Sequence, residues 1–501
     1  MGAAVITESP RRSPLKEMLA IAAPTVATMA SYTLMQFVDK LMVSRIGPES
    51  IYVGAQGNGG LCAFVPISIA MGCLTVINTF VAQNLGAGKP ERAPAYAWAG
   101  LWLAALWWVA VMLPYGFLLP QVFEWIRSPA TDAAMLAELR ERDVLAAAYA
   151  RVLVYGAIFT IAARGIAQYF YGMHKPTVVL VAVVAGNIVN FVLNPLLIFG
   201  TSAPLATGYA VVDWWFGVTA HVAGMLGLGA GGLRGAAIAT VVGTCVELAI
   251  PMAVFLSPTN RRTYGTAKSW RPRWGPMRDL LKIGWPGALM FGNEMVCWAI
   301  FMVAQVGHFG TLHSTAGWIA HQWMSMSFMP TYGISIAITA MVGRSIGAGR
   351  PDEAAARAWL GLRVAVAYMC ACGLVFVLFR RGLVDLFIDG QASAADRAEL
   401  LRLGSRFLIA TAAFQFFDGI AMSLSGALRG AGDTHWPGVA TIVLSWTVIV
   451  GGGWAMVYLA PGLESVGPWT AAAAYIMLLS VAMVVRFRGG KWRGMSVVRA
   501  G

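Results

Sequence analysis

Four acidic residues lie inside long apolar stretches of the chain, away from the charged segments between them. They are Asp39, Glu247, Glu294 and Asp418. A charge at the middle of a lipid bilayer costs at least about 2.5–3.5 kcal/mol on insertion scales, so acids at such positions are expected to have a function. A carboxylate that faces the inside of a helix bundle can bind a proton or a sodium ion. Cation binding is therefore the first chemistry that this sequence indicates.

Asp39 has polar residues at helical spacing that could support cation binding. Gln36 precedes it by one helical turn, and Asn190 and Asn194 share one stripe of a later apolar stretch. Amide oxygens are neutral ligands, but asparagine in membrane helices also serves simply to join helices by hydrogen bonds. Asp39 could also form an ion pair that only holds helices together. The candidate bases for that pair are Lys40, Arg45 and Arg164.

Glu294 and Asp418 are flanked by aromatic residues, in Phe-Gly-Asn-Glu294 and Phe-Gln-Phe-Phe-Asp418. A cavity that combined these acids with aromatic and methionine side chains would favour amphipathic organic cations. Most such side chains are nevertheless expected to face lipid or core. The candidates for lining the cavity are Phe291, Trp298, Phe301, Gln322, Met329, Phe414 and Gln415. Glu247 lacks comparable polar neighbours and is interpreted as a packing or pairing residue.

The composition indicates the elements that must position these residues. The 501 residues are 58% hydrophobic and 12% charged, with a mean hydropathy of +0.67, which excludes a water-soluble enzyme. Each apolar run is continuous for about twenty residues or more, as membrane helices require and barrel strands do not. The sequence predicts an all-α membrane protein. Its twelve predicted spans are 16–45, 51–85, 93–119, 144–173, 176–201, 233–257, 276–308, 312–346, 353–380, 402–429, 435–460 and 466–488.

Charge predicts the orientation. The loops and span ends on the side of both termini hold 22 Lys and Arg against 7 Asp and Glu, whereas the other side holds 11 and 12. By the positive-inside rule both termini are cytoplasmic, in a multi-pass protein of the bacterial inner membrane. The net charge of +13 then reflects topology, so no nucleic-acid partner is expected. The six cysteines lie in apolar stretches without metal-ligand spacing and are interpreted as core residues.

An internal repeat divides the chain into halves. Residues 81–101 align without gaps on residues 342–362, with eleven identities in twenty-one positions. Six spans per half require repeats of the same orientation, which predicts two six-helix bundles around a central cavity suited to alternating access. The predicted division is an N-terminal lobe of residues 1–257, a basic linker of 258–275 and a C-terminal lobe of 276–501. Gly86-Ala-Gly-Lys89 lacks the spacing of a nucleotide-binding loop, so no cofactor is expected.

Several motifs together resemble the multidrug and toxic compound extrusion (MATE) family, nearest its NorM-like branch. They are the two Gly-Ala-Gly-(Lys/Arg)-Pro loops, Phe37-Val-Asp39, Ala320-His-Gln322, Phe328-Met-Pro330 and Leu428-Arg-Gly-Ala-Gly-Asp-Thr434. The resemblance runs from about Leu19 to Phe487. It implies two lobes in a V-shaped arrangement and export of organic, often cationic, compounds driven by inward movement of Na+ or H+.

The resemblance also implies roles for individual residues. Asp39 matches the principal cation-binding acid of the N-terminal lobe, and Asn190, Thr240 and the backbone carbonyl of Ala236 match positions that ligate sodium beside it. Asn194 stands where some members carry an aspartate, which leaves one acid fewer for a proton relay in this lobe. Glu294 and Asp418 match acids of the C-terminal lobe in the NorM-like branch.

The sequence thus predicts a secondary active multidrug efflux antiporter, not an enzyme, that exchanges small organic molecules for Na+ or H+. Its other expected partner is the lipid bilayer, and a monomer is expected. One alternative is a flippase for lipid-linked precursors, which would need a cationic groove. A polytopic membrane enzyme would need a converging catalytic set, and a channel would pass ions without substrate exchange. The segments 120–144 and 203–233 carry no motif.

Overall fold

The protein is described by a computed structural model that covers residues 13–47, 51–127, 133–202, 210–388 and 393–498. Every regular element in these ranges is helical. Eleven helices are long and apolar enough to cross a membrane, and a bent pair adds a twelfth when it is counted as one span. This confirms the predicted fold class. The membrane helices are α1 (Pro14–Val43), α2 (Ile51–Gly86), α3 (Pro90–Ile126), α4 (Ala133–Tyr155 and Ala157–Gly172), α5 (Pro176–Ile198), α6 (Gly232–Phe255), α7 (Trp274–Phe309), α8 (Thr311–Gly347), α9 (Pro351–Asp385), α10 (Ala394–Ala431), α11 (His435–Leu459) and α12 (Val466–Arg488).

The segments without motifs are mostly helical. Most of residues 120–144 belong to the ends of α3 and α4, which run past the apolar stretches, and α4 bends by 48° between its two parts. In the second segment, 203–233, residues 203–209 lie outside the described part of the chain. From residue 210 this segment forms a separate helix, Ala210–Leu226, that exposes Val211, Trp214 and Met225. The basic linker contains a short helix, Pro258–Tyr264.

Two hydrophobic cores follow the two halves of the chain. The first is built mainly from α1 to α6, and the second mainly from α7 to α12. Helix α1 contributes to both, because Met18, Ile21 and Ala22 at its start are buried in the second core while Met29 and Met42 are buried in the first. In return, Ile336 of α8 lies in the first core. The two lobes are therefore joined where α1 and α8 cross.

Two helices of the C-terminal lobe contain π-helical segments that face each other. Residues Ile300–Val306 of α7 and Ser445–Gly452 of α11 adopt the wider turn of a π-helix. Gln305 donates from Nε2 to the carbonyl oxygens of Ile449 at 3.2 Å and Val450 at 3.0 Å. One buried amide of α7 therefore adds two hydrogen bonds to the widened turn of α11, whose carbonyls also accept from the backbone N–H of Gly453.

The lobes are bonded together in the half that carries the basic loops, which we call the basic end. It comprises the loops at residues 87–89, 173–175, 256–273, 348–350 and 432–434. Within the described part of the chain, the hydrogen bonds and ion pairs that join the lobes all lie in this half. They are Asn78 to Ile336 O, Thr79 to Arg429 O, Gln83 to Gly430 O, His174 to Ala340 O, Tyr96 to Asp279, Glu17 to Arg344 and Arg357, and Ser496 and Val497 to Gln83 Oε1. The V-shaped arrangement is therefore closed at its basic end.

The end of the chain crosses this closed face. After α12, Trp492 is buried and stacks on Phe487 with ring centroids 4.7 Å apart. The backbone N–H of Val497 then donates to Gln83 Oε1 at 2.8 Å. Because the same Gln83 side chain donates to Gly430 O at 2.9 Å, one buried amide of α2 holds both α10 and the tail. The tail thus straps the C-terminal lobe to the N-terminal lobe.

Candidate functional site

The N-terminal lobe brings Asp39 together with the amides predicted to accompany it. Asn194 donates from Nδ2 to Asp39 Oδ1 at 2.6 Å and to Asn190 Oδ1 at 2.9 Å. Asn190 in turn donates to Thr240 Oγ1 at 3.3 Å, and the Thr240 hydroxyl donates to Ala236 O at 3.0 Å. Rotating the Asn190 amide by 180° would let it donate directly to Asp39 Oδ1 at 2.9 Å. Helices α1, α5 and α6 are therefore joined by one continuous series of side-chain hydrogen bonds.

Close packing of α5 against α6 creates this arrangement. A Cβ atom at Gly186 would lie 2.7 Å from Gly243 O, and one at Gly243 would lie 2.8 Å from Gly186 O. Because neither position carries a side chain, the two helices approach closely, which is typical of membrane helices with small residues at their contact. Asn190, one turn beyond Gly186, can then reach Thr240 across the contact.

The oxygen atoms gathered here suit a small hard cation. One carboxylate, two amide oxygens, a hydroxyl and a backbone carbonyl are the ligand types that alkali and alkaline-earth ions prefer. Asp39 makes no ion pair among the described residues, so its charge is not neutralised by a neighbouring base. Gln36 was predicted to assist, but its side chain is exposed and lies outside this hydrogen-bonded chain.

The C-terminal lobe places its two acids around one tyrosine. Tyr475 of α12 interacts electrostatically with both Glu294 of α7 and Asp418 of α10, and the two carboxylates interact with each other. Asp418 and Tyr475 are buried. Beside Glu294, Asn293 donates to Ser445 Oγ at 2.7 Å and accepts from Trp446 Nε1 at 2.6 Å, which fixes this part of α7 against α11. Two acids therefore share one apolar pocket of the lobe.

Comparison with known proteins agrees with this architecture. The MatE family model matches residues 24–196 and 289–452, which together make up well over half of the chain. The chain belongs to the MatE family. It is accordingly a membrane transporter and not an enzyme.

Relatives and solved structures place the chain further within the MatE family. It is 27% identical over 489 residues to a probable multidrug resistance protein NorM of Pseudomonas syringae pv. tomato, covering 96% of this chain and 95% of the relative. It is 28% identical over 472 residues to multidrug resistance protein NorM of Burkholderia vietnamiensis, covering 93% and 92%. A MOP superfamily transporter from Pyrococcus furiosus has the same fold, with a TM-score of 0.80 and 20% identity over 97% of this chain and 98% of that one. A MATE protein solved in complex with MaL6 matches with a TM-score of 0.79, 21% identity, and coverage of 96% and 98%.

The predicted cavity residues of this MatE-family chain fall into two groups. Phe301, Phe414 and Gln415 are at most 2% exposed and belong to the interior of the C-terminal lobe, where Gln415 donates to Ser327 Oγ at 2.8 Å. The other residues are partly exposed. They are Phe291, Trp298, Gln322 and Met329. Among them Phe291 meets the ring of Tyr332 edge-on at 6.4 Å, which begins an aromatic wall on the second lobe.

Sequence reasoning did not find a second charged cluster of the N-terminal lobe. Arg164 of α4 forms an ion pair with Glu247 of α6, with Nη1 and Oε1 3.5 Å apart. The Tyr32 hydroxyl of α1 donates to the same Glu247 oxygen, and the Arg164 guanidinium lies 3.8 Å above the Tyr32 ring. Arg164 is therefore the partner of Glu247. The interpretation of Glu247 as a pairing residue is confirmed. The sequence could have indicated this pair, because each of the two residues is an ionisable group inside a predicted span.

Proposed function

We propose that the protein is a secondary active multidrug efflux antiporter that exports organic, often cationic and amphipathic compounds in exchange for Na+ or H+. Its NorM relatives are named multidrug resistance proteins and align with it over nearly their whole length. Export against a gradient needs an energy source. In this chain the acids placed inside the spans supply the means of coupling to an ion gradient.

The observation that carries the proposal is the set of groups around the Asp39 carboxylate. Its carboxylate is held by the Asn194 amide at 2.6 Å and has no basic partner among the described residues, so a cation can supply the missing charge. Asn190, Thr240 and the Ala236 carbonyl provide further oxygen atoms for Na+, while a proton would need only the carboxylate. Glu294 and Asp418 form a second cation-binding pair in the other lobe, where an ion and a cationic drug would compete.

Coupling then follows from movement of the lobes. The basic end is the cytoplasmic end by the positive-inside rule, with both termini there, in the inner membrane of a bacterium and as a monomer. Closure at that end exposes the cargo site to the opposite side. Cation binding at Asp39 and at the C-terminal acids displaces the drug outward, and opening at the basic end releases the ion inward.

The test is ethidium efflux from proteoliposomes under a sodium gradient alone and then under a pH gradient alone. At least one gradient is expected to drive export. Asp39→Asn removes the charge but keeps the shape, and should abolish gradient-driven export while the protein still inserts. Glu91→Gln changes an exposed acid at the start of α3 and serves as the matched control. Wild-type rates in Asp39→Asn would remove its coupling role, and no response of the unchanged protein to either gradient would favour the flippase.

A further inference from the structure

Arg164 uses only part of its capacity to bind anions. Its guanidinium carries five N–H groups, yet its ion pair to Glu247 has Nη1 and Oε1 3.5 Å apart, longer than the 2.7–2.9 Å of a good charge-assisted hydrogen bond. Tyr32 occupies the same Glu247 oxygen. Glu247 therefore neutralises the charge of Arg164 but leaves N–H groups of the guanidinium free to donate hydrogen bonds.

Arg164 is partly exposed. One face of the guanidinium is covered by the Tyr32 ring, but 25% of the side chain is exposed. Within the described residues none of its nitrogen atoms is both buried and without a partner. The remaining N–H groups, which lie in the plane of the guanidinium, are thus accessible. An arginine in the middle of a membrane span is costly to place, and an accessible fork there is suited to an anionic ligand.

The space in front of Arg164 lies between the lobes. Tyr332 of α8 is close enough to interact electrostatically with the guanidinium, together with Tyr171 of α4. The Tyr332 ring stacks on Phe328 with centroids 6.2 Å apart and meets Phe291 edge-on. Phe291 precedes Glu294 by one helical turn of α7. An aromatic wall thus leads from the base of the first lobe towards the acids of the second.

From this arrangement we propose that Arg164 is an anion subsite of the cargo cavity, and that it selects aromatic compounds carrying a carboxylate as well as a cationic group. The inference rests on the proposed export function and names a substrate class for the same cavity. The cargo carboxylate binds the open edge of Arg164, the rings lie along Tyr332 and Phe291, and the cationic group points towards Glu294 and Asp418. Glu247 competes with the cargo carboxylate for Arg164 and positions the guanidinium when the cavity is empty.

The experiment compares two dyes that differ only in this carboxylate. Rhodamine B has a free carboxylate and a cationic ring system, whereas its ethyl ester is a cation only. The readout is the ratio of kcat/KM for rhodamine B to that for the ester, in proteoliposomes with the full chain. Arg164→Gln should lower this ratio about tenfold or more, as expected for loss of a charge-assisted pair. Glu247→Gln should raise it, because a neutral amide competes less well for the guanidinium. Arg363→Gln removes an exposed arginine of α9 and should leave the ratio unchanged.

The outcomes separate this inference from the proposed function. If the unchanged protein exports neither dye under either gradient, the export proposal fails. If it exports the ester but the ratio is the same in Arg164→Gln as in Arg363→Gln, the anion subsite is wrong. Should Arg164→Gln fail to fold, Glu247→Gln decides: a raised ratio supports the subsite, and an unchanged or lowered ratio overturns it.

Discussion

At the scale of single residues, Asn194 is the best test of how Asp39 is tuned. Its amide donates the short hydrogen bond to the carboxylate, and hydrogen bonds to charged groups contribute roughly 1.5–3 kcal/mol. Because this bond favours the ionised carboxylate, Asn194→Ala should raise the affinity of Asp39 for a proton by about tenfold or more, visible as a lower proton concentration for half-maximal export under a pH gradient. Asn187→Ala is the matched control, because Asn187 lies on the same face of α5 but bonds to Ser31. Equal effects of the two substitutions would contradict a specific role for Asn194.

His174 should make folding sensitive to acid. It lies in the loop between α4 and α5, its Nε2 contacts Ala340 O at 3.2 Å, and burial together with the Arg344 charge lowers the pKa of His174 to about 4. Glu17 and Arg357 are the other charged groups that act on it. Since the folded-state pKa lies below the ordinary value of about 6.5, the folded state resists protonation. Stability is then full above about pH 6.5 and falls as the pH drops towards 4.

The measurement is thermal unfolding in detergent between pH 7.5 and about pH 4.5. The unchanged protein should lose stability over this interval, and His174→Asn should lose less of it. Asparagine is the suitable replacement because residue 174 has a φ of 57°, a conformation that asparagine tolerates better than most residues. Parallel pH profiles of the two proteins would show that His174 does not carry the effect.

The sequence predicts some of these contacts and misses others for a physical reason. Asn190 and Asn194 repeat at helical spacing, so their shared face and its link to Asp39 could be predicted once α1 and α5 were expected in one bundle. Arg164 and Glu247 come from helices far apart in the chain. Their pairing depends on how α1, α4 and α6 rotate against each other, which hydropathy does not encode.

At the scale of helices, hydropathy locates the spans but not their ends or their irregular turns. The start of α4 carries Glu138 and Glu141, so its mean hydropathy falls while the helix continues, and the predicted start at residue 144 was too late. The π-helical segments of α7 and α11 are equally invisible, because their composition is that of ordinary membrane helix. What reveals them is Gln305, a polar residue in an apolar run whose partners are backbone atoms.

Gln305 should consequently matter for stability. Gln305→Leu keeps the size of the side chain but removes the two hydrogen bonds from Nε2, so the carbonyls of Ile449 and Val450 are left with the backbone N–H of Gly453 as donor. A typical intramolecular hydrogen bond contributes about 0.5–1.5 kcal/mol, so the unfolding temperature in detergent should fall. Gln121→Leu, at an exposed position of α3, provides the comparison and should change it little. An unfolding temperature no lower than that of this control would show that the widened turns need no such donor.

At the scale of the whole molecule, Gln83 should control how readily the basic end opens. Gln83→Leu removes bonds to both Gly430 and Val497, so the closed state should become less populated. Cys73 of α2 reports on this, because it packs against Gly284 of α7 at the contact between the lobes. In a variant that keeps Cys73 as its single cysteine, maleimide labelling should become faster. Asn84→Ala is the control, since Asn84 bonds within its own helix to Phe80 O at 2.8 Å. Identical labelling rates in the two variants would argue against a latch at Gln83.

The two-bundle organisation followed from the similarity of residues 81–101 to residues 342–362, because similar sequences in the same orientation fold into similar halves. Which end is closed did not follow, since both conformations of a rocking transporter bury nearly the same residues. The tail was equally unpredictable. The segment 491–498 is short and only partly apolar. Its role depends on Gln83, which lies 414 positions before Val497 in the chain.

Where α2 contacts α7 and α8, glycine residues lie directly against backbone atoms of the opposite helix. A methyl group at Gly86 would overlap the Arg344 carbonyl and one at Gly347 that of Gln83, while Gly72 and Gly287 face each other's carbonyls in the same way. Along these glycines few side chains interlock, so separating α2 from α7 and α8 does not require bulky groups to pass one another. At this contact the lobes can separate once the few polar bonds at the basic end are broken. A transporter built this way meets little steric resistance there as it changes conformation.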